Sequence, residues 1–199
     1  MSSNRLYGPT PAPGAAGTIG LNTQGGIAAV LPATQTLLTT AEAVIVNPSL
    51  PTVPLQVNIP QNSPLEGKPF LLVGSGVLNF GTSSTATLKV YSGTSLTPGS
   101  NTQLATSGAI TGFAGKVPFN FELKLQFDSI SGKLNGSFKF MVNNTLVAEA
   151  ALSNVVTGLN NNPSIVSAPP VSVASFCLSL TCGTGGTQVI VVDEFAINF

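Results

Sequence analysis

The sequence predicts an all-β chain: an antiparallel sandwich or barrel preceded by an extended N-terminal arm. Three observations carry that prediction. Apolar residues recur with the period of two that a half-buried strand requires. The clearest case is "VPFNFELKLQFD" (117–128), where Phe119, Phe121, Leu123, Leu125 and Phe127 alternate with Asn120, Glu122, Lys124, Gln126 and Asp128. Turn-forming residues interrupt the chain at intervals of roughly 8 to 15 residues. No stretch carries the 3.6-residue period of a long helix.

Residues 1–42 read as the arm. "YGPTPAPGAAGTIGLNTQGG" is rich in Pro, Gly and Ala and has no apolar period. Proline fixes extended backbone and glycine gives turns, so neither a helix nor a central strand is expected there. On its own such a segment has too little apolar surface to order itself. Leu6, Tyr7, Ile19, Leu21, Ile27, Val30 and Leu31 are spaced along it like docking points. The arm is therefore expected to order against a neighbour, and these seven side chains are the candidate partner-binding residues.

Residues 43–199 read as the β domain. "AVIVN" (43–47) and "VPLQVNI" (53–59) are short strands separated by "PSLP". "KPFLLVGSGVLNFG" (68–81) is a strand with an expected bulge or bend at Gly74–Gly76. "TATLKVYSG" (85–93) alternates, and 94–115 is a turn-rich connection with a weak strand near Gln103–Thr106. After strand 117–128 and the turn "SISG" comes "KLNGSFKFMV" (133–142). "NN" at 143–144 then signals a tight hairpin, because asparagine tolerates the left-handed backbone such a turn needs. Its partner "TLVAEAAL" (145–152) suits a strand, though its Ala and Leu content also suits a short helix. Residues 153–170 read as a loop. "VSVASFCLSLTC" (171–182) and "TQVIVVDEFAINF" (187–199) close the domain, joined by "GTGG". "QVIVV" is apolar on both faces, so cover is expected on both.

Composition then narrows the function. The apolar fraction of the 199 residues is 43%, enough for a real core, but only 7% are charged and the net charge is zero. Soluble domains carry about 25% charged residues. Half of the charges here, seven of the fourteen Lys, Arg, Asp and Glu, fall between Lys116 and Glu149. No basic cluster exists to draw a polyanion, so nucleic-acid binding is not expected. A neutral, charge-poor monomer lacks the self-repulsion that keeps copies apart, which fits a chain living inside an assembly. The first residues lack an apolar run, and no run of about 18 apolar residues occurs. Neither a signal peptide nor a membrane span is therefore expected, and the chain is expected to fold in a cytoplasm.

Catalytic chemistry is poorly supplied. The chain has no histidine, the commonest general base and metal ligand. Cys177 has no base to make it a thiolate, and it lies five residues from Cys182, on the opposite side of one strand, so two buried unbridged thiols are expected. The carboxylates are Glu42, Glu66, Glu122, Asp128, Glu149, Asp193 and Glu194. Asp193 and Glu194 are adjacent and should face opposite ways. Glu122 and Asp128 share one face about 20 Å apart. No catalytic pair, dense acidic loop for calcium, or cofactor is expected. A sugar-binding module is the rival reading, but such sites stack sugars on aromatic rings, and the chain has no Trp and two Tyr.

"FELKLQFDSISGKLNGSFKFMVNN", the "VVTGLNN" loop and the closing "FCLSLTCGTGGTQVIVVDEFAINF" together resemble small virion proteins of tailed bacteriophages, of the type that decorates or cements an icosahedral head. The resemblance covers roughly residues 43–199 and lies in strand–turn pattern and composition. It implies a jelly-roll-like antiparallel sandwich and a homotrimer on the exterior of the particle, in contact with capsid subunits and copies of itself. It implies no catalytic residue. Tail or fibre proteins that bind a receptor or carbohydrate share the same style and form the alternative.

Overall fold

The computed structural model describes residues 28–29, 33–37, 40–59, 69–80, 85–128, 133–156, 174–183 and 188–198. Its strands in chain order are β1 (Ala28–Ala29), β2 (Ala33–Leu37), β3 (Ala43–Val44), β4 (Val46–Asn47), β5 (Leu50–Pro54), β6 (Gln56–Ile59), β7 (Pro69–Phe80) and β8 (Thr85–Ser92). They continue with β9 (Thr102–Thr106), β10 (Ile110–Thr111), β11 (Gly115–Asp128), β12 (Lys133–Val142), β13 (Thr145–Val156), β14 (Ala174–Cys182) and β15 (Gln188–Asn198). The helical content of the described residues is a single 3₁₀ turn, Pro98–Ser100.

The fold is an antiparallel β-sandwich. A seven-stranded sheet runs β1–β15–β7–β11–β12–β13, with β2 beside β1 on the outer side of β15. A six-stranded sheet centres on β8 and β14, flanked by β9 and β10 on one side and by β3 and β6 on the other. A small β4–β5 ribbon completes it. Alternation decides which side chains enter. Along β11, Val117, Phe119, Phe121, Leu123 and Leu125 are buried, whereas Lys116, Asn120, Glu122, Lys124 and Gln126 are exposed. Phe176, Leu178, Leu180 and Cys182 of β14 meet them from the other sheet in one continuous core. The rings of Phe70 and Phe176 touch across the gap, their centroids 6.0 Å apart.

The hairpin expected at 143–144 is present. Asn143 and Asn144 have φ of 50° and 60°, and β12 and β13 pair from Val142 and Thr145 outward. Two consecutive left-handed residues match the right-handed twist of the flanking strands. The segment 145–156 is a strand throughout, not a helix. Its pairing with β12 outweighs the local preference of Ala and Leu.

Two expectations are corrected. The bulge or bend expected at Gly74–Gly76 is not a bulge of β7, which is one unbroken strand of twelve residues in regular register with β11. The glycines serve close approach instead. A Cβ on Gly74 would stand 2.3 Å from Phe121 Cζ, and one on Gly76 would stand 2.0 Å from the Val191 carbonyl oxygen. The irregularity lies opposite, in β15, where the register shifts between Val192 and Glu194. That bulge also corrects the second point: Asp193 and Glu194 are both exposed and do not face opposite ways. An extra residue in one strand lets two neighbours reach the same side.

The arm boundary also moves. Residues 28–29 and 33–37, placed within an arm of 1–42, are β1 and β2, zipped onto β15 of their own chain. The free edge of β15 offers unpaired amides and carbonyls, and "ATQTL" can satisfy them. The side chain of Gln35 then ties this edge to the rest of the fold. Its Oε1 accepts from the Val46 amide at 2.8 Å.

Candidate functional site

Leu6, Tyr7, Ile19, Leu21, Ile27, Val30 and Leu31, the candidate partner-binding residues, all lie outside the described residues. Within the described fold, one polar side-chain constellation stands out, and sequence reasoning missed it. Glu42 precedes β3 and reaches over the outer face of the six-stranded sheet. Its Oε2 accepts from Lys89 Nζ at 2.7 Å, and its Oε1 accepts from Tyr91 Oη at 2.6 Å and from Ser179 Oγ. Lys89 and Tyr91 share a face of β8 by alternation, and Ser179 lies opposite Lys89 on β14. The one signal in the sequence was that shared face. Nothing local tied Glu42 to it.

Electrostatics tune this cluster. Burial works to raise the Glu42 carboxyl, but hydrogen bonds from Lys89, Ser179 and Tyr91 and the Lys89 charge outweigh it and hold the carboxyl below its ordinary 4.5. The hydrogen bond to Glu42 outweighs burial at Lys89 and holds that ammonium above its ordinary 10.5. Burial, then Glu42, pushes the Tyr91 phenol up. A carboxylate that accepts from three side chains and is held below its ordinary range acts as a clamp, not as a general base. Glu42→Gln is expected to cost about 1–2 kcal/mol at neutral pH, because charge-assisted bonds are lost from side chains still 20–23% exposed. Glu42 has a depressed folded pKa, so its contribution is full above pH 4.5 and fades as pH falls through the folded value. Urea melts of wild type and variant at pH 7 and at about pH 3 check this: the gap between them should shrink at the lower pH.

Other reactive groups are disarmed by their surroundings. Cys177 packs with Val44 and Tyr91, and burial pushes its thiol up to about 12. The Asn101 side chain lies over it, with Nδ2 3.9 Å from the sulfur. Cys182 is buried in the main core, and neither cysteine forms a disulfide. Tyr91 is 5% exposed, so its ring offers no platform to a sugar. Among the described residues, no three His, Cys, Asp or Glu side chains gather as a metal site.

The outward face of the seven-stranded sheet is divided. On β11–β13 it is charged: Glu122 pairs in register with Lys139, and Lys139 with Glu149. These residues, with Lys124, Ser137 and Phe138, line an open depression of about 190 Å³. The two glutamates and two lysines alternate across the strands and sum to zero charge, which gives a charged ligand no single-sign patch. On β7 and β15 the same face is largely apolar but interrupted, with Ser75 opposite the exposed Glu194 midway and Asn79 near one end. Leu71, Val73, Val77, Val189 and Val191 alternate with core residues, point outward and stay partly exposed. The cover expected on both faces of "QVIVV" is therefore complete inside, at Ile190 and Val192, and partial outside.

No family model matches the sequence, and no curated protein matches it. Among solved structures, the chain is similar to a seed lectin isoform of Lotus tetragonolobus, at 10% identity and a TM-score of 0.39, over 84% of this chain and 92% of that one. It is similar to the binding domain of botulinum neurotoxin DC, from a complex with rat synaptotagmin II, at 7% identity and a TM-score of 0.36, over 89% of this chain and 44% of that one. A third is the GH43 BlXynB protein of Bacillus licheniformis, at 10% identity and a TM-score of 0.29, over 78% and 34%. At such values no ligand or activity passes from these proteins to this chain.

Proposed function

We propose that this chain is a non-enzymatic structural protein of a virion, a capsid decoration or cement protein that reinforces a phage head. The supporting observation is the divided outer face of the seven-stranded sheet. A strand face already backed by a packed core carries partly exposed apolar side chains, Leu71 and Val73 on one side of the Ser75–Glu194 pair and Val77, Val189 and Val191 on the other, in a chain with only 7% charged residues. Apolar surface covered by a partner contributes about 25 cal/mol per Å², reduced by the costs of association. The partners in this reading are capsid subunits and further copies of the chain, with a closed trimer as the cyclic form. Residues 1–27, which include Leu6, Tyr7, Ile19, Leu21 and Ile27, would add anchoring contacts in this reading.

Immunogold labelling of particles from the producing host tests the placement, and label on the heads is the expected result. Label absent from particles, together with binding of the purified protein on a glycan array, would instead favour the receptor- or carbohydrate-binding alternative. Deleting residues 1–27 while keeping β1 and β2 is expected to lower particle occupancy at least tenfold and leave the domain's melting unchanged. Occupancy by quantitative gel and melting by circular dichroism check both halves.

A further inference from the structure

The seven-stranded sheet ends at β13, and among the described residues no strand lies beyond it. Exposed edges are templates for further pairing, and proteins usually blunt them with short strands, proline, charged side chains or β-bulges. β13 uses these sparingly, and its bulges lie outside its central stretch. It is twelve residues long, has no proline or lysine, and carries one charge, Glu149. Its pairing with β12 is irregular on either side of a regular stretch, Ala148–Leu152. Within that stretch Ala150 and Ala151 are exposed and Ala148 is partly so. Ala148, Ala150 and Leu152 lie opposite Phe140, Phe138 and Gly136, on the inner side of the sheet, and Phe138 too is partly exposed. The inner side is therefore apolar up to the very edge.

We propose that β13 pairs antiparallel with β13 of a second copy of this chain, about a two-fold axis at Ala150, joining two seven-stranded sheets into one. The sequence is self-complementary in that register. Ala148 meets the second copy's Leu152 and Ala150 meets its counterpart, an apolar row on the inner side. Glu149 meets Ala151 on the outer side. Shifting the axis to Glu149 or to Ala151 loses this match: the first sets two carboxylates directly opposite, and the second sets Glu149 against the irregular segment after Leu152. A net charge of zero removes long-range repulsion between copies. The contact is isologous and needs no partner of other composition. It holds whether or not the protein sits on a capsid, and it links copies across, rather than within, any three-fold ring.

A single strand pair is smaller than the about 1,200–2,000 Å² of stable complexes, so the pair exchanges and is best trapped. Residues opposite each other in an antiparallel pair have Cα atoms about 4.5–5.5 Å apart, within disulfide reach. Ala150→Cys is therefore expected to form a covalent dimer under mild oxidation. Ala148→Cys, whose copies would be about 14 Å apart in this register, is expected not to. Circular dichroism confirms that each variant folds, and Cys177 and Cys182, both buried, stay out of the reaction. Failure of Ala150→Cys to link, or linking of both variants at equal rates, overturns the proposal. The first result would mean that the edge is covered by the chain itself or by another protein. Sedimentation adds an independent reading: Ala151→Arg faces Glu149 of the second copy and should bind itself about tenfold more tightly than Ala151→Glu. Equal affinities would overturn the register.

Discussion

Phe121→Ala is expected to destabilise the protein by about 3–5 kcal/mol, the cost of emptying a large buried aromatic site. The ring is 1% exposed and lies in the middle of β11. It packs against Phe140 at 5.3 Å and edge-on to Phe195 at 6.2 Å between centroids, so three strands of one sheet meet on it. Its position also explains Gly74, which lies opposite it in register and leaves the space the ring fills. Gly74→Ala alone should therefore destabilise, by pushing the ring out of place. In the Phe121→Ala background the obstruction is gone, and the second substitution should cost much less. Urea denaturation of the four proteins measures that coupling. Additive losses would show that the glycine is there for some other reason.

Gly76→Ala is the second large expectation, at about 2–3 kcal/mol, the upper range for forcing extra volume into a filled site. The new methyl would have to stand where the Val191 carbonyl oxygen is, with the Phe119 ring 3.0 Å away. A flexible side chain could give way, but a backbone carbonyl in a paired strand cannot without releasing the ladder. The loss should appear locally as well as globally. Hydrogen exchange of the β15 amides near the Val192–Glu194 bulge is expected to accelerate more than exchange in β12. Uniform acceleration would argue against a local clash.

These two glycines show where sequence reading succeeds and where it stops. "KPFLLVGSGVLNFG" announces a strand because alternation is a local signal, and the pair of glycines announces that something there is unusual. Whether the chain bends or a neighbour comes close depends on β11 and β15, which are remote in sequence. The same division runs through the fold. β11, the Asn143–Asn144 turn and β12 were legible because each depends on residues a few positions apart. β1 and β2 were not, because "ATQTL" becomes a strand only where β15 offers a free edge. Glu42 was illegible for the same reason. Its bond to Ser179 spans 137 positions, and only the shared face of Lys89 and Tyr91 hinted at it. The outward apolar residues of β7 and β15 were half legible, since "QVIVV" showed apolar residues on both faces but not how far the outer one is covered, nor that Glu194 interrupts it.

The insertion of β15 between β2 and β7 has a consequence for how the molecule is made. The ladder that holds residues 33–37 in place, and one side of residues 69–80, waits for residues 188–198 to emerge from the ribosome. Until then β7 has an open flank lined with valine and leucine. Closure over so many intervening residues is slow, and an intermediate with that flank bare is prone to stick to its own kind. High-level synthesis should therefore yield insoluble chains that slower synthesis or a chaperone rescues, even though the finished sandwich has that flank sealed.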